Sequence, residues 1–330
     1  HSDMLLWMRD PNSWNDRGHT DFPRLRAGRV ALQVFSSVTK TPADMNYDSN
    51  TADSDNITPL AIVQLWPLDS WTSIYARARY HARRLNRLAT LSHGEFVVAR
   101  TRGDLAAALE RRASDPDVLV GILATEGGHP FEGDLANIDG LYDEGYRMIG
   151  LQHFFDNELG GSLHGVSDTG LTDFGRAAVA RIVEHGMIID LAHSSQAVVR
   201  EVLDMTDVPL VISHTGIHGH CEAKRNIPDD LMLEVASRGG VIGIGFWADV
   251  TCDDTPEGVA ATLLAAIDLL GVEHVALGSD YDGTITATFD ASEYAVLTDR
   301  LLAAGLSEAD IRDVMGENTI RFFLENLPEG

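Results

Sequence analysis

The sequence predicts an α/β protein, a (β/α)8 barrel of the TIM type, from two observations. Short apolar runs rich in Val, Ile and Leu recur along the chain, and stretches with helical patterning separate them. Such runs are typical of strands buried on both faces of a parallel sheet, and their alternation with helices indicates βαβ units. The chain has 330 residues, of which 44% are hydrophobic and 23% charged. A single barrel domain over residues 1–330 fits this length and composition.

The apolar runs supply strands two to eight of the predicted barrel, and residues 1–6 would be the end of the first strand. The runs are residues 29–36, 118–125, 147–152, 187–192, 209–213, 240–246 and 274–279. Helices are predicted over residues 68–91, 101–112, 172–185, 195–203, 229–237 and 256–270. Thr101 and Asp104 have the spacing of a capping box at the start of one of these helices.

Two segments fall outside the regular alternation. Residues 39–67 are polar and rich in Pro, Asn, Asp and Ser, and an Arg-rich helix follows them. We predict that they form an inserted helical segment after strand two, and that residues 291–327 supply the last barrel helix and a C-terminal helical extension. The chain has no linker rich in Gly, Ser or Pro that would separate two domains.

The charge and the cysteine content narrow the functional classes. Lys plus Arg is 25 and Asp plus Glu is 50, which gives a net charge of -25 and disfavours nucleic acid and anionic membranes as partners. No apolar run approaches the roughly 18 residues that span a bilayer. Only Cys221 and Cys252 are present, so a disulfide-rich scaffold and a four-cysteine zinc site are excluded. The residues alone leave open whether these two are bridged or reduced.

Polar side chains follow five of the predicted strands, at the end where barrel enzymes place their chemistry. Any one of them has an ordinary interpretation as a helix cap, a turn former or a surface residue. Three imidazoles and two carboxylates at one rim favour a borderline divalent metal instead, with zinc as the first candidate. The five residues are Glu126, His153, His193, His214 and Asp280.

The triplet His1-Ser2-Asp3 adds two further candidate ligands. Alternate residues of a strand share a face, so His1 and Asp3 could bind one metal together. His19-Thr20-Asp21 has the same outer residues, but it precedes Pro23 in a polar stretch with no apolar run leading into it. We predict that this second triplet lies in a surface loop.

Seven motifs together resemble a known family over essentially the whole chain. In order they are HSDMLLW, PRLRAGRVALQVFS, ATEGG, LQHF, DLAHSS, ISHTG followed by KRNIPDD, and GSDYDG. In this order they resemble the membrane (renal-type) dipeptidases, peptidase family M19 of the amidohydrolase superfamily. The resemblance implies a zinc dipeptidase that acts on L-Xaa-L-Xaa and L-Xaa-D-Xaa substrates.

The resemblance also implies two Zn²⁺ ions per chain, bridged by Glu126 and by a water or hydroxide. His1 and Asp3 would complete the protein ligands of the first ion, and His193 and His214 those of the second. A carboxylate suits the bridging position because its two oxygens can each bind one metal.

Further roles follow from the same resemblance. Asp280 would act as general base and then general acid, and His153 would contact the substrate and stabilise the oxyanion. Arg225 would bind the C-terminal carboxylate of a dipeptide through its two-pronged fork, and Gly283 is expected to contact the substrate. Tyr47, Trp66 and Trp247 are the candidates for selecting the substrate side chain.

The resemblance bears on location and partners as well. Exported members carry a disulfide near the positions of Cys221 and Cys252, so a bridge between them is expected here. Together with a first residue other than Met, this slightly favours an exported protein, periplasmic or membrane-associated, over a cytoplasmic one. The expected partners are a small dipeptide and a second copy of the chain, because dimers are common in the family.

Three other functions stay open at this stage. Another amidohydrolase-superfamily enzyme, acting on an N-acyl-amino acid, a lactone or a related substrate, would use the same metals, although Arg225 favours a free carboxylate. A metal-free glycosidase could use Glu126 and Asp280 as its carboxylate pair, but it leaves the three histidines unexplained. A non-catalytic metal-binding or partner-binding protein would have no use for Asp280 and His153.

Overall fold

The computed structural model describes residues 1–329 and shows an α/β fold built on a curled, parallel sheet of eight strands. Seven strands follow one another in the order β1-β3-β4-β5-β6-β7-β8, and β2 pairs with β3 outside this path. The strands are β1 Leu32–Val38, β2 Phe96–Val98, β3 Leu119–Glu126, β4 Tyr146–Gly150, β5 Ile188–Asp190, β6 Val211–Thr215, β7 Val241–Ile244 and β8 Val275–Leu277.

Helices connect most of the strands, as the alternating pattern predicts. They are α1 Phe22–Ala27, α2 Ile57–Val63, α3 Ile74–Leu91, α4 Arg102–Ser114, α5 Ala136–Glu144, α6 Asp173–Glu184, α7 Gln196–Met205, α8 Asp229–Ser237, α9 Ala248–Thr251, α10 Pro256–Leu270, α11 Ala295–Ala303, α12 Glu308–Arg312 and α13 Asn318–Asn326. A long loop, α2 and α3 lie between β1 and β2, in the part of the chain where the sequence predicts an insertion.

Local sequence signals account for the helix starts. The capping box of α4 is confirmed, because Asp104 N–H donates to Thr101 Oγ1 and Thr101 N–H donates to Asp104 Oδ2, both at 3.0 Å. The predicted helix 68–91 is in fact divided into a 3₁₀ turn, Leu68–Trp71, and α3. The division occurs at Ser73, which is extended and whose hydroxyl caps α3 by accepting from Ala76 N–H.

The start of the chain lies between the first and last strands of the path. Ser36 N–H donates to the Ser2 carbonyl, and Asp3 N–H donates to the Tyr281 carbonyl, both at 2.9 Å. Among residues 1–6, Ser2 alone forms a β-bridge, with Tyr281. The prediction of a strand end over residues 1–6 is therefore wrong for Met4–Leu6, which form a 3₁₀ turn. The chain leaves the extended conformation at Asp3, whose φ and ψ are -98° and 27°.

The core has two layers, one on each face of the sheet. The larger one packs the outer faces of the strands against the surrounding helices. The smaller one fills the inside of the curled sheet, where Val34, Ile122 and Met148 meet Phe322 and Phe323 of α13. The interior is therefore apolar where α13 packs against it.

Two further features complete the fold. Cys221 and Cys252 form a disulfide, with Cα atoms 5.7 Å apart, that joins the segment after β6 to the end of α9. Within residues 1–329, none of the helices combines the length and the apolar character needed to cross a membrane.

Candidate active site

The polar side chains that follow the strands meet at one end of the sheet. Glu126 ends β3 and His214 lies in β6, whereas His153, His193 and Asp280 each come three residues after the end of a strand, β4, β5 and β8 in turn. All five are buried. Because the strands are parallel, their carboxyl ends share one rim, and this is what brings residues so distant in sequence together.

Glu126 is at the centre of the cluster. Its Oε1 lies 3.1 Å from His193 Nε2, 3.2 Å from His214 Nε2 and 3.4 Å from His153 Nε2. Its Oε2 lies 3.8 Å from His1 Nε2 and has no hydrogen-bond partner. One carboxylate is thus surrounded by four imidazole rings.

The N-terminal triplet contributes to the same cluster. His1 Nδ1 lies 3.1 Å from Asp280 Oδ1, and the His1 ring stacks on the His214 ring with centroids 4.1 Å apart. Asp3 lines the cavity next to the cluster, and one of its oxygens is buried without a hydrogen-bond partner. The sequence-predicted residues from the start of the chain therefore reach the strand-end site.

The donor atoms fall into two overlapping groups that could each hold a metal ion. One contains His1, Glu126, His214 and Asp280, and the other contains Glu126, His153 and His193, with donor atoms within 4.8 Å of one another. Glu126 belongs to both groups, as a bridging ligand would. The resemblance pairs His1 with Asp3 and His193 with His214. The two groups instead place His1 with His214 and Asp280, and His193 with His153, and Asp3 belongs to neither.

The electrostatics of the cluster fit a bound cation. Burial and the neighbouring Asp3 carboxylate raise the pKa of Glu126 well above its usual range, and burial and Asp280 do the same to the pKa of Asp3. Burial lowers the pKa of His193 and His214, which leaves them neutral, the form that binds metals. Crowded carboxylates with unpartnered oxygens beside neutral imidazoles are a donor set suited to zinc.

Two of these residues have a strained backbone. His193 and Asp280 have φ angles of 65° and 56°, in the left-handed region that residues other than glycine rarely adopt. Each such residue costs about 1–3 kcal/mol, and such strain clusters at active sites because the surrounding structure holds it in place.

A cavity of about 600 Å³ opens beside the cluster. Its polar wall includes Asp3, Glu126, His153, His193 and Asp280. An apolar wall faces the same space and is formed by Leu6, Trp7, Val38, Ile57, Leu60 and Phe154. The space is large enough for a small organic molecule and combines convergent polar groups with apolar surface, as binding sites do.

Arg225 supplies a buried positive charge to this cavity. Its side chain is 1% exposed, and Nη2 donates to the His214 carbonyl at 2.9 Å. Nε and Nη1 are buried and have no hydrogen-bond partner. A guanidinium group stays charged in proteins, and leaving its buried donors unpaired destabilises the fold. The Nε and Nη1 donors of Arg225 therefore favour an anionic ligand.

Gly283 lies against the two carboxylates at the edge of the cavity. A Cβ atom at this position would be 2.7 Å from Asp3 Oδ2 and 2.8 Å from Asp280 Oδ1. Contacts this short are not tolerated, so glycine is required for this arrangement of the two side chains.

Comparison with protein families matches residues 1–327 to the membrane dipeptidases, peptidase family M19. The chain belongs to this family. It is therefore a metallo-dipeptidase, a hydrolase of peptide bonds.

Two relatives named as dipeptidases align with most of this chain. An uncharacterised dipeptidase of Schizosaccharomyces pombe is 28% identical over 322 residues, which are 92% of this chain and 71% of that protein. The dipeptidase aclJ of Aspergillus oryzae is 28% identical over 348 residues, 97% of this chain and 76% of its own.

Solved structures share the fold. The dipeptidase AC of family M19 has a TM-score of 0.80 at 24% identity, covering 100% of this chain and 98% of its own. A metallopeptidase of Rhodobacter sphaeroides, solved with a phosphinate mimic of the dipeptide L-Ala-D-Ala, has a TM-score of 0.77 at 23% identity, covering 99% and 97%.

Of the three aromatic residues predicted to select the substrate side chain, two line the cavity and one does not. In this dipeptidase Tyr47 and Trp247 line the cavity, and Trp247 Nε1 donates to the Tyr47 hydroxyl at 3.0 Å. Trp66 does not line it. It follows α2, and its indole is buried against Tyr80 and His81 in a separate apolar cluster.

The competing triplet at 19–21 takes no part in the metal cluster. Asp21 is fully buried, so the prediction of a surface loop is wrong at this residue. It caps α1, since Arg24 N–H donates to Asp21 Oδ1 at 2.9 Å. The His19 ring stacks on Tyr281, with centroids 5.0 Å apart.

Sequence reasoning missed two polar residues that contact the cluster. Asp190 and Ser213 lie in the buried strands β5 and β6, and Ser213 hydrogen-bonds to both Asp190 and His214. The available signal was a carboxylate inside the apolar run MIIDLA, a position where a charge is costly unless it has partners.

Proposed function

We propose that the enzyme is a binuclear zinc dipeptidase that cleaves L-Xaa-L-Xaa and L-Xaa-D-Xaa dipeptides. Glu126 would bridge two Zn²⁺ ions together with a water or hydroxide, and His1, Asp3, His193 and His214 would complete the protein ligands. When bound, the ions supply Lewis acidity and lower the pKa of water to near neutrality. The observation that supports this most is the central position of Glu126, which both donor groups share.

Asp280 is suited to proton transfer in this reaction. Its carboxylate lines the cavity and accepts a hydrogen bond from His1 Nδ1 at 3.1 Å. A carboxylate beside the scissile bond can take a proton from the attacking water and deliver it to the departing amine.

His153 is suited to stabilising the oxyanion that forms on the substrate carbonyl. Burial lowers the pKa of His153 well below its usual range, so the ring is neutral and carries one N–H. The ring lines the cavity, and its Nε2 lies 3.4 Å from Glu126 Oε1. A donor fixed at this position favours the charged intermediate over the neutral substrate.

Arg225 would bind the C-terminal carboxylate of the dipeptide. Its N–H groups at Nε and Nη1 have no partner within residues 1–329 and would be satisfied by a carboxylate, and burial excludes the water that would weaken the contact. The phosphinate dipeptide mimic bound to the Rhodobacter sphaeroides metallopeptidase supports an L-Xaa-D-Xaa substrate. An N-acyl-amino acid presents the same carboxylate and is the second candidate substrate, whereas a neutral lactone leaves Arg225 unpaired.

The experiment that tests this function compares L-Ala-L-Ala, L-alanyl-L-alaninamide and N-acetyl-L-alanine as substrates. We expect Arg225→Met to lower kcat/KM for L-Ala-L-Ala by about 10- to 100-fold, the effect of losing hydrogen bonds to a charged group. The amide has no carboxylate, so its slow turnover should change little, which also shows that the variant is folded.

The matched control is Arg200→Met, which removes an exposed arginine that pairs with Asp230. It should leave both substrates unaffected. Equal losses on the acid and the amide in Arg225→Met would contradict the assigned role of Arg225. Turnover of N-acetyl-L-alanine alone would replace the dipeptide with the second candidate.

We also propose that the enzyme acts in an oxidising compartment outside the cytoplasm. The Cys221–Cys252 disulfide supports this, because such bonds persist where thiols are not kept reduced. Thiol titration of the denatured, non-reduced protein should find no free thiol, and a count of two would contradict the proposal.

A further inference from the structure

We propose that Asp190 and Ser213 form a hydrogen-bond relay that fixes the tautomer of His214 and so prepares its Nε2 to bind metal. Nothing in the family comparison assigns a role to these two residues. The inference rests on the proposed function, in which His214 is a zinc ligand.

The relay is buried and its contacts are short. Asp190 is 3% exposed, and its Oδ1 accepts the N–H groups of Ala192 at 3.0 Å and of Ser213 at 2.9 Å. Its Oδ2 accepts the Ser213 hydroxyl at 2.5 Å. Ser213 Oγ in turn lies 2.8 Å from His214 Nδ1.

The direction of each hydrogen bond follows from what each group can donate. An ionised carboxylate only accepts, so the Ser213 hydroxyl hydrogen points to Asp190. The serine oxygen then has only lone pairs to offer His214, and Nδ1 must carry the ring proton. Nε2 is left with a lone pair, 3.2 Å from Glu126 Oε1 and 3.0 Å from His193 Nε2, inside the proposed metal site.

Two of the neighbouring rings have no such support. Among residues 1–329, the Nδ1 atoms of His153 and His193 are both buried without a hydrogen-bond partner. The Nδ1 atom of His1 lies 3.1 Å from Asp280, to which proton transfer is assigned, so His214 is the ring of this group that is held by side chains with no other proposed role. A partner on the second nitrogen orients a ligand imidazole and makes it more basic.

A purely structural role for Asp190 predicts something different. Its Oδ1 contacts, together with the hydrogen bond from Leu191 N–H to the Val211 carbonyl, already tie β5 to β6. A residue that served only as this tie would need no contact with the Ser213 hydroxyl, and the tautomer of His214 would not depend on it.

Asp190→Asn separates the two roles. The asparagine oxygen can keep both backbone hydrogen bonds, but its amide N–H now donates to Ser213 Oγ. The serine hydroxyl then donates to His214 Nδ1, which moves the ring proton to Nε2, where a metal should bind. The equivalent aspartate-to-asparagine change in serine proteases fixes the wrong histidine tautomer in the same way.

The first readout is the ¹⁵N spectrum of the metal-free protein labelled at histidine. We expect the Nδ1–H tautomer of His214 in the wild type and in Ser213→Thr, which keeps the hydroxyl, and the Nε2–H tautomer in Asp190→Asn. His214→Gln identifies the signal. This measurement needs neither metal nor activity.

The second readout is zinc affinity, measured by competition with a chelator. Asp190→Asn and Ser213→Ala should weaken zinc binding by about 10- to 100-fold, the usual cost of losing such a partner, and Ser213→Thr should restore it. The matched control is Thr262→Val, which removes a buried hydroxyl that bonds to the Gly258 carbonyl within α10 and should leave the affinity unchanged.

The outcomes distinguish the relay from the proposed function. A wild type that binds no zinc would overturn the proposed function, and the ¹⁵N tautomers would still decide the relay. A wild type that binds zinc, with unchanged affinity in Ser213→Ala and the Nδ1–H tautomer in Asp190→Asn, would overturn the relay alone. If Asp190→Asn fails to fold, the Ser213→Ala and Ser213→Thr pair decides in the same way.

Discussion

At the residue scale, the most specific assignment is that of Asp280 as general base and general acid. Replacing Asp280 with the neutral asparagine tests this role. Asp280→Asn keeps the shape and the contact with His1 but cannot accept a proton. We expect kcat to fall by about 10²- to 10⁴-fold, the usual contribution of general acid–base catalysis. Zinc content should stay the same, since ligands other than Asp280 are proposed to hold both ions.

Measurement of zinc by elemental analysis on the same sample separates catalysis from metal binding. Asp280 Oδ1 is among the donor atoms of the first candidate group, so a ligand role is the direct competitor. Loss of one zinc per chain in Asp280→Asn would contradict the assignment as general base. Unchanged turnover would contradict it as well.

Residues at strand ends could be predicted because topology alone determines their position. Glu126 and His193 each follow an apolar run, and parallel strands bring such residues to one rim whatever the loops do. The contact between Asp190 and Ser213 depends on the register of β5 and β6, which no sequence pattern specifies. The place of Trp66 outside the cavity could not be predicted for the same reason, because it depends on the path of the chain after α2.

At the scale of elements, α3 contains a buried histidine that makes the fold sensitive to acid. Both ring nitrogens of His81 are buried without a hydrogen-bond partner. Burial, and then the charges of Arg84 and Arg77, lower the pKa of His81 to about 3. The unfolded chain binds a proton near pH 6.5 and the folded chain does not, so stability falls as the pH drops from 6.5 towards 3.

His81→Leu should remove this part of the acid sensitivity. At pH 5 the wild type loses about 2 kcal/mol through this group relative to pH 7, from 1.36 kcal/mol per pKa unit. Urea unfolding at both pH values should show a smaller pH effect in the variant. His220→Leu, at an exposed histidine, is the control. An identical pH effect in His81→Leu and the wild type would contradict the prediction.

The disulfide is the second element whose contribution can be measured. It joins residues 31 positions apart, and a loop of this length restricts the unfolded chain enough to stabilise the fold by about 3–4 kcal/mol. The double variant Cys221→Ser with Cys252→Ser should lose this free energy of unfolding in urea titration. The reduced wild type should match the variant, and an unchanged midpoint in both would argue against the bridge.

Strands and helices could be predicted where the apolar or capping pattern was clear in the local sequence. The apolar runs became strands and the capping box of α4 was correct, because these depend on local pattern. β2, with three residues, was missed, although β5 and β8 are equally short and were predicted. It forms because Glu95 and Ala99 bond to the edge of β3 opposite β1, a tertiary effect that a sequence window does not contain.

On the scale of the whole molecule, the curled sheet separates two environments. Phe322 and Phe323 pack into its apolar interior, whereas carboxylates and imidazoles gather at the carboxyl ends of the strands. The candidate metal ligands therefore lie at the end of a sheet whose interior is apolar. The α/β class and the position of the site followed from the sequence, while the grouping of the ligands required the three-dimensional structure.

The central claim, two zinc ions at one dipeptide-cleaving site, is tested most directly by zinc titration of the chelator-stripped enzyme while L-Ala-L-Ala hydrolysis is followed. We expect no activity without metal and a plateau at two zinc ions per chain, as a two-metal site requires. A plateau at one ion, or hydrolysis that persists after complete removal of metal, would contradict this claim.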